Sequence, residues 1–354
     1  MNAIRRRALT MIIASGLVLL SGCEGLEYVT HVAQGQIDVN TSTESIEAVL
    51  ASGRLTDDEA DKLRMIGRAR AYAVEIGLNA GSSYTTYYDA GDNPLAFNLS
   101  ASRRDKLDPV TWTFPIVGEL PYLAFFDEGY LRDEEQKLID DGFDTYTYEI
   151  DAYSTLGVFE DPIRSPMLRR NRLSLADTIV HEVLHNTIYR PNNTNFNESL
   201  ATFVGRTGAV EFLTREYGED SGWATFAEQR YADTDAINAF LVDFVAELRV
   251  YYAQAKPPGE LVSGREAVFE AGRRRFVDEV QPTLNFPDSY GFYAELPTNN
   301  AWVLLNVRYN LDLDVFQRVF ERVDGDWAAA LGVFREAAAA AGDPFEYLRN
   351  WPDE

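Results

Sequence analysis

The chain has 354 residues, 46% of them hydrophobic and 25% charged, and a formal net charge of −24. That length and composition suit a folded protein of one large or two modest domains. The acidity excludes nucleic acid and anionic membrane surfaces as electrostatic partners, and it leaves divalent cations welcome. Histidine occurs only at positions 31, 181 and 185, and cysteine only at Cys23. The remainder of the chain therefore has no disulfide, and a zinc site must be built from histidine and carboxylate.

At the N-terminus, Arg5-Arg6-Arg7 precedes an apolar run from Met11 to Leu20 that is too short for a settled transmembrane helix. This is the pattern of an export signal. The expected organisation is a signal over residues 1–22 and a polar tether over 23–43, in which His31 is incidental. A sheet-containing lobe over 44–170 and a helical lobe over 171–354 follow. Thr56-Asp57-Asp58-Glu59 reads as a capping box that opens a helix running to Gly77. Between Ser82 and Phe159, Tyr, Thr, Phe and Trp become frequent. Tyr84 to Tyr88, Thr111 to Phe114, Tyr122 to Phe126 and Thr145 to Ile150 predict strands, with one helix from Leu131 to Asp140 among them.

After Pro166 the pattern is helical. Ser174-Leu175-Ala176-Asp177 reads as a second capping box, for a helix that ends after Tyr189 and before Pro191. A helix from Phe196 to Tyr217 and a long one carrying Ile237, Leu241, Phe244, Leu248 and Tyr251 at core spacing come next. Further helices are expected near 264–279, 300–309, 315–322 and 327–341.

The helix expected around residue 180 holds His181-Glu182-Val183-Leu184-His185. Positions i and i+4 share a helix face, so both imidazoles can reach one ion, with Glu182 beside them to hold a water. This is the HExxH pattern of zinc peptidases, in which the glutamate is the general base. A catalytic zinc takes three protein ligands and keeps one position open. Histidine is exhausted, so the third ligand is expected to be a carboxylate. Glu198, separated from His185 by twelve residues that include a turn at Pro191, is the best placed. The competing reading makes Asn195-Phe196-Asn197-Glu198 simple helix punctuation. The developing oxyanion also needs a donor, and Tyr153, Tyr293 and Tyr309 are the candidates. Tyr153 to Gly157, through Ser154, Thr155 and Leu156, has the character of an edge strand that adds a peptide substrate.

Several of these segments carry a resemblance. Leu20-Ser21-Gly22-Cys23 resembles the lipobox of bacterial lipoproteins, and Asn197-Glu198 resembles the Asn-Glu pair of gluzincin peptidases. Together with Ala152 to Gly157, the HExxH motif, Phe196 to Val204, Thr111 to Gly118 and Asn299-Asn300-Ala301, the chain is similar to the bacterial lipoproteins called putative aminopeptidases. That resemblance implies an α+β, zincin-like fold with the active-site helix between its lobes. It implies one Zn2+ held by His181, His185 and Glu198, with Glu182 as base, and hydrolysis of peptides. It implies a lipid anchor on Cys23 facing the periplasm, and Glu24 after the cysteine points to the outer membrane. No obligate partner is expected. An aminopeptidase also needs an acid for the substrate amine, for which Glu149, Asp151 and Glu160 are near the expected edge strand. A zinc endopeptidase and a non-catalytic zinc- or peptide-binding lipoprotein are the alternatives.

Overall fold

In the computed structural model, which describes residues 34–91, 96–114, 118–150, 160–308 and 312–352, helix ends follow local capping chemistry. Residues 34–41 are helical, and Val39 there is buried against Ala96. They lead through β1 (Thr43–Ser45) into α1 (Ile46–Ala51) and α2 (Asp57–Glu75). The expected capping box opens α2: Thr56 accepts from the Glu59 amide, and the Glu59 carboxylate accepts from the Thr56 amide at 2.8 Å. Leu63, Met65, Ile66, Ala69 and Ala73 form its buried face.

Three small sheets follow. β1, β2 (Thr86–Tyr88) and β8 (Ile163–Arg164) form one, with β2 central. β3 (Ala96–Arg103) lies between β6 (Leu123–Phe125) and β7 (Phe143–Ile150) in a second, antiparallel throughout. β4 (Trp112–Phe114) and β5 (Gly118–Leu120) pair as a hairpin. The expected strands are present, each trimmed by a residue or two at its ends or, for β7, extended. The central strand β3 was not among them. Its sequence, AFNLSASR, has no β-branched residue and reads as polar, because Asn98, Ser100 and Ser102 are buried inside it. Helix α3 (Glu128–Asp140) packs on this sheet.

The C-terminal region is helical: α4 (Arg172–His185), α5 (Thr194–Tyr217), α6 (Trp223–Tyr252), α7 (Pro258–Gly264), α8 (Glu266–Arg275), α9 (Asn300–Arg308), α10 (Leu313–Arg322), α11 (Trp327–Ala339) and α12 (Pro344–Arg349). The fold is thus mixed α+β, with small sheets on the N-terminal side and a helical C-terminal region. The helix expected near 264–279 is present as α8 continued by a π turn over Phe276–Val280, and α7, which precedes it, was not expected. One core joins α2, α4, α5, α10, α11 and α12, and a second joins α6, α8 and α9. None of the described helices is long and apolar enough to cross a membrane.

A buried charge network ties the second core to the sheet. Arg265 grips Asp144 of β7 with two bonds of 2.6 and 2.8 Å. Asp144 also accepts from the Asn300 amide at 2.8 Å, while the Asn300 side chain donates to the Arg103 carbonyl at 2.9 Å. Asn299 caps α9 by accepting from the Trp302 amide at 3.0 Å and donates to the Thr145 carbonyl at 2.7 Å. The Asn299-Asn300 pair is therefore a structural clasp. Asp144→Ala leaves the Arg265 guanidinium buried without its carboxylate, a change that costs about 3–5 kcal/mol. A urea titration is expected to show the midpoint falling accordingly.

Candidate metal centre

The helix that carries both histidines starts earlier than the expected box placed it. Asn171 caps α4 by accepting from the Ser174 amide at 2.9 Å, so Asp177 lies in its second turn and takes no part in capping. The helix ends at His185, with Asn186 as its cap, four residues before Tyr189. Leu175, Ala176, Ile179, Val180, Val183 and Leu184 are fully buried, which fixes the rotation of α4 and turns His181, Glu182 and His185 to one side.

The connection to α5 is held at several points. The Asn197 side chain exchanges two bonds of 2.8 Å with the backbone amide and carbonyl of Arg190. The Arg190 guanidinium donates to the carbonyls of Ala337, Ala338, Ala340 and Gly342 at the end of α11. Asn192, with a positive φ of 61°, accepts from the Glu119 amide at 2.8 Å and so docks the β4–β5 hairpin. Asn193 caps α5. Glu198 is thus one turn inside the helix and free of capping duty, and the punctuation reading of Asn195 to Glu198 does not hold.

The crossing of α4 and α5 brings the three groups together. His181, His185 and Glu198 offer ligand atoms that all lie within 4.8 Å of one another. His181 Nε2 is 3.3 Å and His185 Nε2 3.7 Å from Glu198 Oε2. Two ligands about 2.1 Å from a tetrahedral ion are separated by about 3.4 Å, which the two histidine–Glu198 distances bracket. The imidazole rings meet edge to face, 5.0 Å apart at 82°. His185 Nδ1 is buried and has no hydrogen-bond partner among the described residues.

Electrostatics agree with this geometry. Burial opposes charge on His181, yet Glu198, bonded to it, with Glu182 and Asp177 nearby, pushes its pKa up to about 9. Burial likewise opposes charge on Glu198, but His185 and His181 hold its carboxyl well below the ordinary range. Glu198 is thus an anion held between two imidazoles.

Of the other expected residues, Tyr293 packs in the second core, stacked on Phe276 at 5.1 Å and against Trp302 at 5.7 Å. Burial pushes its hydroxyl up to about 12. With Tyr148, Ile237 and Asn306 it lines a cavity of about 330 Å3, apart from the groups that surround Glu198. Glu149 pairs with Phe97 in the register of β7 and β3. Tyr153, Ser154, Thr155, Leu156, Gly157, Tyr309, Asp151, Cys23 and His31 lie outside the described residues.

Two tyrosines near the site escaped sequence reasoning. Tyr189, half-buried, has its hydroxyl pushed up to about 12 by burial and then by Glu198. It lies in the loop after His185, beyond the helix end, where no helical spacing marks it. Tyr84 is buried with a positive φ of 61°, and its hydroxyl has no hydrogen-bond partner among the described residues. Burial and then Glu182 raise its pKa. No sequence pattern marks a tyrosine in that conformation.

A family model described as "Putative aminopeptidase" matches residues 27–342. The chain belongs to this family. No curated protein and no solved structure matches the chain significantly. For the family member described here, the site depends on the close crossing of α4 and α5 at Gly205. A methyl group there would collide with Asp177 Oδ1 and sit 3.1 Å from the Asp177 carbonyl and 3.2 Å from His181 Cβ. Gly205→Ala is expected to lower stability by about 1–3 kcal/mol. Thermal and urea unfolding of the purified variant measure it.

Proposed function

We propose that this protein is a zinc-dependent peptidase of zincin-like type, acting as an aminopeptidase. The observation that carries the reading is the convergence of His181, His185 and Glu198 within 4.8 Å, with Glu182 between the two histidines in sequence. In this reading those three residues hold one Zn2+, and an open side receives the substrate. Bound zinc supplies a Lewis acid that acidifies water and polarises a carbonyl. Glu182 takes the proton of the attacking water and delivers it to the leaving amine. Asn197 and the Arg190 anchor hold Glu198 still while this happens. A phenol completes the stabilisation of the oxyanion. Tyr189, in the field of Glu198, joins Tyr153 and Tyr309 as the donor, whereas Tyr293 is committed to packing.

The substrate in this reading is a peptide, with Ser154 to Gly157 adding it as a strand. We further propose that lipidation of Cys23 tethers the enzyme to the outer membrane, facing the periplasm. Cys23→Ser is expected to move the protein from the membrane to the soluble fraction.

Glu182→Gln separates metal binding from chemistry. It is expected to retain one zinc per chain while losing about 10²–10⁴-fold in peptide hydrolysis. Metal analysis and a fluorogenic peptide assay report the two quantities. A wild type that binds zinc without hydrolysing any peptide would leave only a binding role. Peptides with free and acetylated N-termini test the exopeptidase assignment, and equal rates would make the enzyme an endopeptidase. Glu198→Ala is expected to abolish stoichiometric zinc, and full retention would remove Glu198 from the ligand set.

A further inference from the structure

Asp177 stands one helical turn before His181, on the same face of α4. It is also the place where α5 and α6 converge on that helix. Gly205 of α5 backs onto both residues at once: a methyl group there would strike Asp177 Oδ1 and come within 3.2 Å of His181 Cβ. Asp177 Oδ1 and the base of the His181 side chain therefore flank the same point. The second oxygen, Oδ2, accepts from the Tyr231 hydroxyl of α6 at 3.1 Å. Arg206, the neighbour of Gly205, lies over the Tyr231 ring at 5.2 Å and pairs with Asp235 at 2.9 Å. The carboxylate is thus held from one side, with its other oxygen against Gly205, beside the base of the His181 side chain.

The imidazole of His181 has its own geometry. Nε2 faces Glu198 at 3.3 Å, so Nδ1 is the nitrogen nearer Cβ and looks away from the ligand cluster. A histidine that binds metal through one nitrogen commonly donates the other to a carboxylate, which fixes both tautomer and ring orientation.

This inference rests on the metal reading of the site. We propose that Asp177 is a positioning residue for His181: a bridging water accepts the Nδ1 proton and donates to Asp177 Oδ1, and so presents Nε2 to zinc. Tyr231 is the second link, because it holds Oδ2 and stops the carboxylate from swinging away. The Asp177 carboxylate acts through histidine and touches no substrate.

The test is zinc affinity, measured on the purified full chain by competition with a chromophoric chelator, alongside the melting temperature of the zinc-free protein. Asp177→Ala is expected to weaken zinc binding about 10–100-fold. Asp177→Asn, whose amide oxygen can still accept one bond, is expected to recover part of that loss. Tyr231→Phe removes only the donor to Oδ2 and is expected to weaken zinc severalfold. A folded Asp177→Ala variant with wild-type affinity overturns the proposal, and marks Asp177 as a strut between α4 and α6 if its melting temperature alone has fallen. Should Asp177→Ala not fold, an unchanged affinity in Tyr231→Phe overturns it equally. A wild type that binds no zinc overturns the metal reading itself, a result distinguishable from the others.

Discussion

The crossing of α4 over α5 is the constraint on which the rest of the site depends. Two histidines one turn apart can face an ion from a single helix, but the third ligand must come from elsewhere and arrive within about 4 Å of both. Glu198 does so because the helices approach closely at Gly205 and Gly208, where side chains are missing. Val180 fills the space above Gly208, with Cγ1 3.1 Å from where a methyl group would stand. Larger residues on that seam would push α5 outward and carry Glu198 with it. The geometry of the three proposed ligands is therefore a property of the packing seam as much as of the residues themselves.

The remaining architecture serves to hold that seam. α2 covers α4 from the other side, and its apolar face is continuous with the first core. The loop after His185 would otherwise be the loosest part of the site. It is fixed by Asn197 at one end and by Arg190 on the end of α11 at the other. Asn197 and Glu198 are adjacent in sequence but have separate duties: the amide binds the incoming loop, and the carboxylate faces the histidines. The β4–β5 hairpin rests on the same loop through Asn192, which links the N-terminal region to the site.

How much of this was legible in the sequence follows from where the determining physics lies. Thr56 and Glu59 satisfy each other within four residues, so their capping box could be read directly. His181 and His185 are four apart, a local spacing. Scarcity of histidine then selected a carboxylate, and Glu198 followed. The failures have long-range causes. Asn171 rather than Ser174 caps α4, and both residues are good caps; packing chose between them. β3 hid because its buried faces are built from Asn98, Ser100 and Ser102, whose polarity imitates a loop. Tyr293 was drawn toward catalysis by its neighbours in sequence, but Phe276 and Trp302 claim it in space. Gly205 gives no local sign that it faces His181.

Two buried polar clusters in the same molecule show what distinguishes a site from a scaffold. Around Asp144, the partners bond one another: Arg265 to the carboxylate, the Asn300 amide to the same carboxylate, and Tyr252 to the Asn300 side chain at 2.9 Å, with Arg104 beside them at 3.3 Å. Such a cluster is closed, and adding a ligand would cost it bonds. Around Glu198 the arrangement is open. Its carboxylate serves two imidazoles at 3.3 and 3.7 Å, one short enough for a hydrogen bond and one too long, and His185 Nδ1 is buried without a partner. Burial works against charge on both Glu198 and His181, while their proximity works for it. A fold optimised only for stability would close this cluster or replace it with apolar packing. In the zinc reading proposed above, two imidazole nitrogens and a carboxylate oxygen pointing at one another from rigid helices gain most when the cation stands between them.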